Sequence, residues 1–346
     1  LNGVTDLDGR KQTAIDHINE ALFGSDESIS LTVRKFDGST QDVTITRGVY
    51  AIDPILHSEV YTVGSKKVGY FVLNSFVRIS EGTSAQIFKA KLDALFADFQ
   101  TQNISELIVD LRYNGGGSVE TADYLVNYMA PLGASGLMHV DYYNDLMQKN
   151  QATILKNQKF TYQGQQYSMF DYDFSPSSAI CRSNFEKKGN LNLTRAYFIV
   201  SGGTASASEL VINCLKPVMD VKLIGRKTYG KPVGFFAIHI DKYDLYIPQF
   251  QTKNRNNQGD YFNGMTVDKD DYDDISKEFG DRTERHLAYA LGYAQTGAFP
   301  TISLAKTSSI NRIPITRMSK QESEKVGAEL DRYRFKGMVE TRNRPF

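Results

Sequence analysis

Three short, nearly unbroken apolar runs constrain this chain more than any other feature. ELIVDL (106–111), RAYFIVS (195–201) and KLIG (222–225) lack the polar alternation of a half-exposed strand. Runs of this length and character are typical of strands buried on both faces. Helical stretches lie between them. Residues 83–101 set Phe88, Leu92, Leu95, Phe96 and Phe99 on one face at helical spacing. Residues 118–130 read as a second helix, and another begins near Ser206. Strands alternating with helices predict a β/α core with short connections. A chain of 346 residues, 41% of them hydrophobic, is long enough to bury one.

The flanks are organised differently. Residues 10–22 carry Ala14, Ile15, Ile18, Ala21 and Leu22 at helical spacing, with Gly24 as a stop. SISLTVRKF then alternates like a strand, Asp37-Gly38 marks a turn, and QDVTITR returns. Residues 1–48 therefore form a small unit of loop, helix and hairpin. The core runs over 49–305, opening with two strands in VYTVGSKKVGYFVLNSF and a turn at Gly64–Lys67. FFAIHI and YDLYIPQF are further strands. Between 141 and 192 the rhythm breaks, and Tyr142, Tyr143, Tyr162, Tyr167, Phe170, Tyr172 and Phe174 punctuate a polar segment. This insertion reads either as a lid or binding surface or as a hairpin packed by its own aromatics. DKDDYDD (268–274) lacks the glycine of a calcium loop and reads as a solvated loop. Asp281 and Glu284 fit the capping box of a helix over 281–295. Residues 306–346 show no strong periodicity and read as a C-terminal extension.

Composition excludes some functions. Forty basic residues balance forty acidic ones, so no whole-molecule field draws in nucleic acid or an anionic membrane. No apolar run approaches the roughly 18 residues of a membrane span. No secretory signal opens the chain, and LNGVTDLDG already reads as mid-domain sequence. Cys181 and Cys214 make neither a metal site nor a disulfide framework. They either pair or stay free, and Cys214 reads as a small core residue on a helix. His17, His57, His139, His239 and His286 fall in none of the glycine loops and read as structural or surface residues. That argues against a Ser/His/Asp enzyme.

Three loops stand out. SGGTASASELVINCLKP (201–217) places Ser206 and Glu209 in an S-x-x-E capping box. On that pair alone a helix cap is the favoured reading. RKTYGKPVGFF (226–236) sets Lys231 between Gly230 and Pro232, just past a buried strand. DLRYNGGGS (110–118) sets Gly115–Gly117 at the C-terminal end of another. Strand ends and helix starts are where open β/α cores collect catalytic groups, and three such loops exceed what turn chemistry requires. A serine hydroxyl needs a base to become a nucleophile. Lysine serves only when neutral, and at its reference pKa about 0.1% is neutral near pH 7.5. Burial must lower that pKa. Tyr229, Gly230, Pro232, Val233 and Gly234 surround Lys231 in sequence with no acid among them. An oxyanion calls for backbone N–H donors at a helix start or in a glycine loop. Ala207, beside Ser206, supplies the first.

SASE at 206–209, a glycine-flanked lysine 25 positions after Ser206, and DLR-x-N-x-GG ahead of both resemble the C-terminal-processing (tail-specific) serine peptidases of family S41. The resemblance covers most of residues 1–295. It implies a Ser/Lys dyad in which Ser206 is the nucleophile and Lys231, within TYGK, is the base. It also implies a second oxyanion donor from the NGGG loop, Gly116 first and Gly117 next. Glu209 either orients the site or only caps the helix. The implied fold is an α/β, ClpP/crotonase-like β/α core preceded by a partial PDZ-like module over 1–48. The implied reaction is polypeptide hydrolysis through an acyl-enzyme, with substrates engaged by their C-terminal segments. No cofactor, metal or nucleic-acid partner is expected, and the oligomeric state stays open. The implied location is exported, periplasmic or lipid-anchored at the cell envelope. Two departures matter. Phe235 stands four residues after Lys231, where many family members have an orienting glutamine, and the loop reads NGGG where NPGG is common. An alternative is a catalytically weak or inactive binding protein of the same fold that holds peptides or apolar ligands. A third reading, an acyl-CoA enzyme of the crotonase type, would not need a serine–lysine pair at this spacing.

Overall fold

A computed structural model describes residues 1–302 except 36, 49–52 and 81. The extension expected over 306–346 lies outside the described residues. Two compact units divide them, one within Leu1–Ala51 and the other within Ile52–Ile302.

The first unit has helix α1 (Gln12–Phe23), ended by Gly24, whose N–H donates to Glu20 O. Strands β1 (Ser28–Arg34) and β2 (Thr40–Thr46) form an antiparallel hairpin, with Ser28 opposite Thr46 and Arg34 opposite Thr40. Helix and hairpin are as the periodicity predicts. These elements do not by themselves specify a PDZ-like module.

The second unit opens with β3 (Ile55–Val63), β4 (Lys66–Leu73), α2 (Gly82–Thr101), β5 (Glu106–Asp110) and α3 (Val119–Met129). The insertion brings β6 (Leu137–Tyr143), α4 (Asp145–Gln148), β7 (Lys159–Tyr162), β8 (Gln165–Ser168) and β9 (Arg182–Asn184). Then follow β10 (Arg195–Val200), α5 (Ala207–Leu215), β11 (Asp220–Gly225), β12 (Val233–Gly234), β13 (Ile238–Ile240) and β14 (Tyr243–Leu245). The last elements are β15 (Phe250–Asn254), β16 (Lys269–Asp270) and α6 (Arg285–Thr296).

Six strands make the main sheet in the order β16-β11-β10-β5-β4-β3. All neighbours are parallel except the β3–β4 edge hairpin. The two-residue period of each strand divides its apolar residues between two cores. Leu107, Val109, Phe198, Val200 and Leu223 pack with Phe88, Leu92 and Phe96 of α2 and Val211 and Leu215 of α5. Ile108, Tyr197, Ile199 and Ile224 pack with Leu287, Ala290 and Leu291 of α6. Burial on both faces is why these runs read as unbroken. Because β5, β10 and β11 are adjacent and parallel, their C-terminal ends share one sheet edge. The loops 111–118, 201–206 and 226–232 all leave from it.

The insertion's β6 and β9 join β12 and β15 in a second sheet, β12-β15-β6-β9, paired antiparallel. Its core joins Tyr143, Met147, Leu155, Met169, Phe174 and Cys181 to Phe236 and Ile238, which follow Lys231 in sequence. It is therefore not packed by its own aromatics alone. A polar rivet ties it to α3. His139 Nε2 bonds Asp123 Oδ1 at 2.9 Å and Ser183 Oγ donates to Asp123 Oδ2 at 2.9 Å, while within the sheet Thr252 Oγ1 donates to Asp141 Oδ1 at 2.6 Å.

Two expectations are corrected. Helix α6 starts at Arg285, not 281, because Glu284 is its N-cap and accepts from Leu287 N at 2.9 Å. Asp281 turns its carboxylate to Thr283 instead. The acidic run 268–274 is also more than a solvated loop. Lys269–Asp270 pairs in parallel with β11, Asp268 Oδ2 accepts from Leu223 N at 2.7 Å, and Asp271 holds Arg285 and Tyr289. Cys181 and Cys214 are both buried and free. No helix among the described residues is long and apolar enough to cross a membrane.

Candidate active site

Ser206 stands between β10 and α5 at φ 58°, ψ −117°. A side chain at positive φ costs on the order of 1–3 kcal/mol and persists only where its surroundings hold it. Here they do. Thr204 Oγ1 donates to Leu111 O at 2.7 Å and accepts from Ser201 N at 2.9 Å, while Ser201 Oγ bonds Arg112 O. Behind the turn, all nine residues of α5 are buried. The serine is thus pinned to the loop that leaves β5.

Asn114 is the hub of that loop, and it is fully buried. Its Nδ2 donates to Leu73 O at 2.9 Å, and its Oδ1 accepts from Gly116 N at 2.8 Å. Its carbonyl accepts from Ala205 N and from Ser208 Oγ. Gly116 has φ +104°, and a Cβ there would fall 2.7 Å from Ser206 Cβ and 2.9 Å from Ala207 N. Only glycine lets the loop lie this close to the serine turn. Of the three expected oxyanion donors, Gly116 is already committed to Asn114. The amides of Ala207 and Gly117 carry no hydrogen bond among the described residues. Ala207 N–H is also the first of α5, at the positive end of the helix.

The third loop is fixed by one carboxylate. Glu209 is fully buried. Its Oε1 accepts from Thr228 Oγ1 at 2.6 Å and Gly230 N at 2.7 Å. Its Oε2 accepts from Lys231 N at 2.8 Å and Ser206 N at 3.0 Å. Glu209 closes the start of α5, and one of its oxygens accepts from the backbones of both Ser206 and Lys231. Tyr229 N donates to Thr204 O at 2.9 Å, a second tie between the same loops.

The side chain of Lys231 takes another direction. Its Nζ lies 4.5 Å from the centre of the Phe235 ring. Among the described residues it makes no hydrogen bond to Ser206 Oγ and no ion pair. Burial holds its pKa below the usual lysine range, and the Glu209 charge works the other way. The two backbones are brought together, while the direct side-chain contact expected of a dyad is not made.

Three neighbours of the site escaped the sequence reading. Asn114 lies inside the DLR-x-N-x-GG stretch, which was its only signal. Thr228 gives none. Arg112 is buried and bridges Asp110 at 2.8 Å, Glu284 at 3.1 Å and Asp273 at 2.5 Å. Tyr70 OH donates to Asp110 Oδ2. Asp273, Glu284 and His286 approach closely enough to suggest a metal site. The Arg112 guanidinium already donates to both carboxylates, so the cluster works as an ion-pair network.

A parallel β/α core with a strained serine at a helix start, free amides beside it and a lysine on the next strand exit has the architecture of the β/α serine peptidases. The chain belongs to peptidase family S41, which it matches over residues 67–270. It is similar to a Bacteroides fragilis NCTC 9343 protein assigned to the S41 proteases, with 27% identity over 78% of this chain and 65% of that one, at a TM-score of 0.56. It also matches a photosystem II D1 C-terminal processing protease, with 17% identity over 71% of this chain and 55% of that one, at a TM-score of 0.44. This chain thus spans less than two thirds of either.

Proposed function

We propose that this chain is a serine peptidase core that cleaves polypeptides through an acyl-enzyme. Ser206 Oγ attacks the scissile carbonyl, and its proton passes to the neutral amine of Lys231. The carbonyl electron pair moves onto oxygen, facing the Ala207 and Gly117 amides. The C–N bond then breaks and the leaving amine takes the proton. Water hydrolyses the ester in the second half.

The observation that carries this reading is the Glu209 carboxylate, which holds Ser206 N and Lys231 N on one oxygen. A plain helix cap has no use for the lysine. Strand β12 adds a place for substrate. Thr252 N donates to Pro232 O, and Val233 lies opposite Gln251. The Val233 N–H and C=O therefore point away from β15, open to an extended peptide two residues from Lys231. Recognition of C-terminal segments and an exported, periplasmic or envelope-anchored location belong to the same proposal, on the family resemblance alone.

A second reading, a binding protein of the same fold that cleaves nothing, draws on one observation: Lys231 rests on Phe235 rather than Ser206. Casein digestion and labelling by a serine-directed phosphonylating probe separate the two. The peptidase reading expects wild type to digest and to be labelled. It expects Ser206→Ala to lose about 10³-fold or more of the activity with its melting temperature retained. Equal digestion by both proteins would leave Ser206 as a cap.

A further inference from the structure

The side chain of Lys231 has one neighbour that the proposed chemistry does not use. Its Nζ sits over the face of Phe235 at 4.5 Å, within cation–π range. The ring is braced in turn by Tyr246, edge-on at 5.8 Å and 72°. The lysine backbone is fixed at the other end by Glu209 Oε2. The amine is thus placed between a backbone anchor and a ring, with no hydrogen-bond acceptor at its tip among the described residues.

The chemistry of that contact is asymmetric. The negative face of an aromatic ring attracts an ammonium and has little hold on a neutral amine. A base must be neutral to take a proton. The charged form that cannot act is therefore the form the ring retains.

We propose that Phe235 is a positioning residue that latches protonated Lys231 away from Ser206 and releases it on deprotonation. This rests on the general-base reading of Lys231 given above. The latch couples lysine geometry to its protonation. At low pH the ammonium stays on the ring, and at higher pH the free amine turns to the serine hydroxyl. Among the described residues, two titratable side chains face the pair from the elements around it. Glu209 of α5 favours the ammonium, and Tyr246 stands behind the ring.

The test is the titration of Lys231 read by carbon-13 NMR of its Cε, with the resonance assigned by its loss in Lys231→Arg. Removing the ring in Phe235→Leu removes a stabiliser of the charged form. The midpoint should fall by about half a pH unit, the size of a partly exposed cation–ring attraction. Phe235→Tyr keeps the ring and should keep the wild-type midpoint. Phe235→Met serves as the non-aromatic variant if the leucine variant does not fold. The alkaline rise of kcat/KM should move down in parallel with the titration, which a merely structural role for the ring would not produce. An unchanged or raised midpoint in the folded non-aromatic variant overturns the latch. The peptidase reading fails separately, through the absence of Ser206-dependent cleavage in wild type, and the NMR titration still reports on the latch in that case.

Discussion

At the scale of single residues, Glu209 concentrates the most consequence. Four donors converge on its two oxygens in a buried site. In Glu209→Gln one oxygen becomes an amide nitrogen, which turns a donor toward two donors that previously had an acceptor. Leaving a buried donor without a partner costs about 1–3 kcal/mol. We expect a loss of at least about 2 kcal/mol in chemical unfolding, with a fall in serine-probe labelling because Ser206 N and Lys231 N lose their shared anchor. Glu209→Gln with wild-type stability and labelling would show that the carboxylate does neither job. Lys231→Arg tests the base itself. Guanidinium does not deprotonate in proteins, so this variant should fold, keep its positive charge and hydrolyse nothing. An arginine variant that cleaves at the wild-type rate would sink the general-base assignment.

At the scale of elements, the site is a product of strand order. The loops after β5, β10 and β11 meet because those strands are parallel neighbours. The glycines then set how closely the loops approach. Gly116→Ala would force a side chain into positive φ and within 2.8 Å of Ala205 O and 2.9 Å of Ala207 N. Backbone cannot yield there as a flexible side chain could. A destabilisation of about 2 kcal/mol or more is expected, with loss of probe labelling; a fully active alanine variant would mean that the loop tolerates displacement. This scale also shows what could be read from sequence. The buried strands and the helices α2, α3 and α5 were legible because periodicity is local. Ser206 and Lys231 were legible because each sits in a short glycine-marked segment just after a buried run. The partners of Arg112 were not: Asp273 and Glu284 lie more than 150 positions away, and nothing near Arg112 encodes them. The acidic run 268–274 misled for the same reason. Its charges look like a solvated face until Arg112, Arg285 and the edge of β11 arrive from elsewhere in the chain. Phe235 was visible as a departure from the family pattern, but its use as a seat for Lys231 depends on a side-chain direction that spacing cannot give.

At the scale of the whole molecule, two titrations pull in opposite directions. On the proposed general-base role Lys231 acts when neutral, so activity should climb as pH rises through its depressed pKa. His139 stabilises when charged. It is buried at the joint between the insertion sheet and α3. Burial works against the charged ring, but the Asp123 carboxylate outweighs it, with help from Asp141, and pushes the pKa up to about 9 from 6.5. A folded pKa above the unfolded one gives stability that is complete below about 6.5 and lost as pH rises through about 9. The gap is worth on the order of 3 kcal/mol. Urea unfolding of wild type and His139→Gln at pH 6, 8 and 10 isolates this contribution, because other groups such as Lys187, whose pKa burial lowers to about 8, cancel in the difference. The gap between the two proteins should be largest at pH 6 and nearly close by pH 10. A gap that stays constant would mean His139 is neutral in the fold and acts only by packing. If it closes, the alkaline conditions that free Lys231 also loosen the sheet carrying β12, and the activity profile should turn over above pH 9 in wild type. His139→Gln, already without the charged rivet, should show the turnover weakened relative to its own lower maximum.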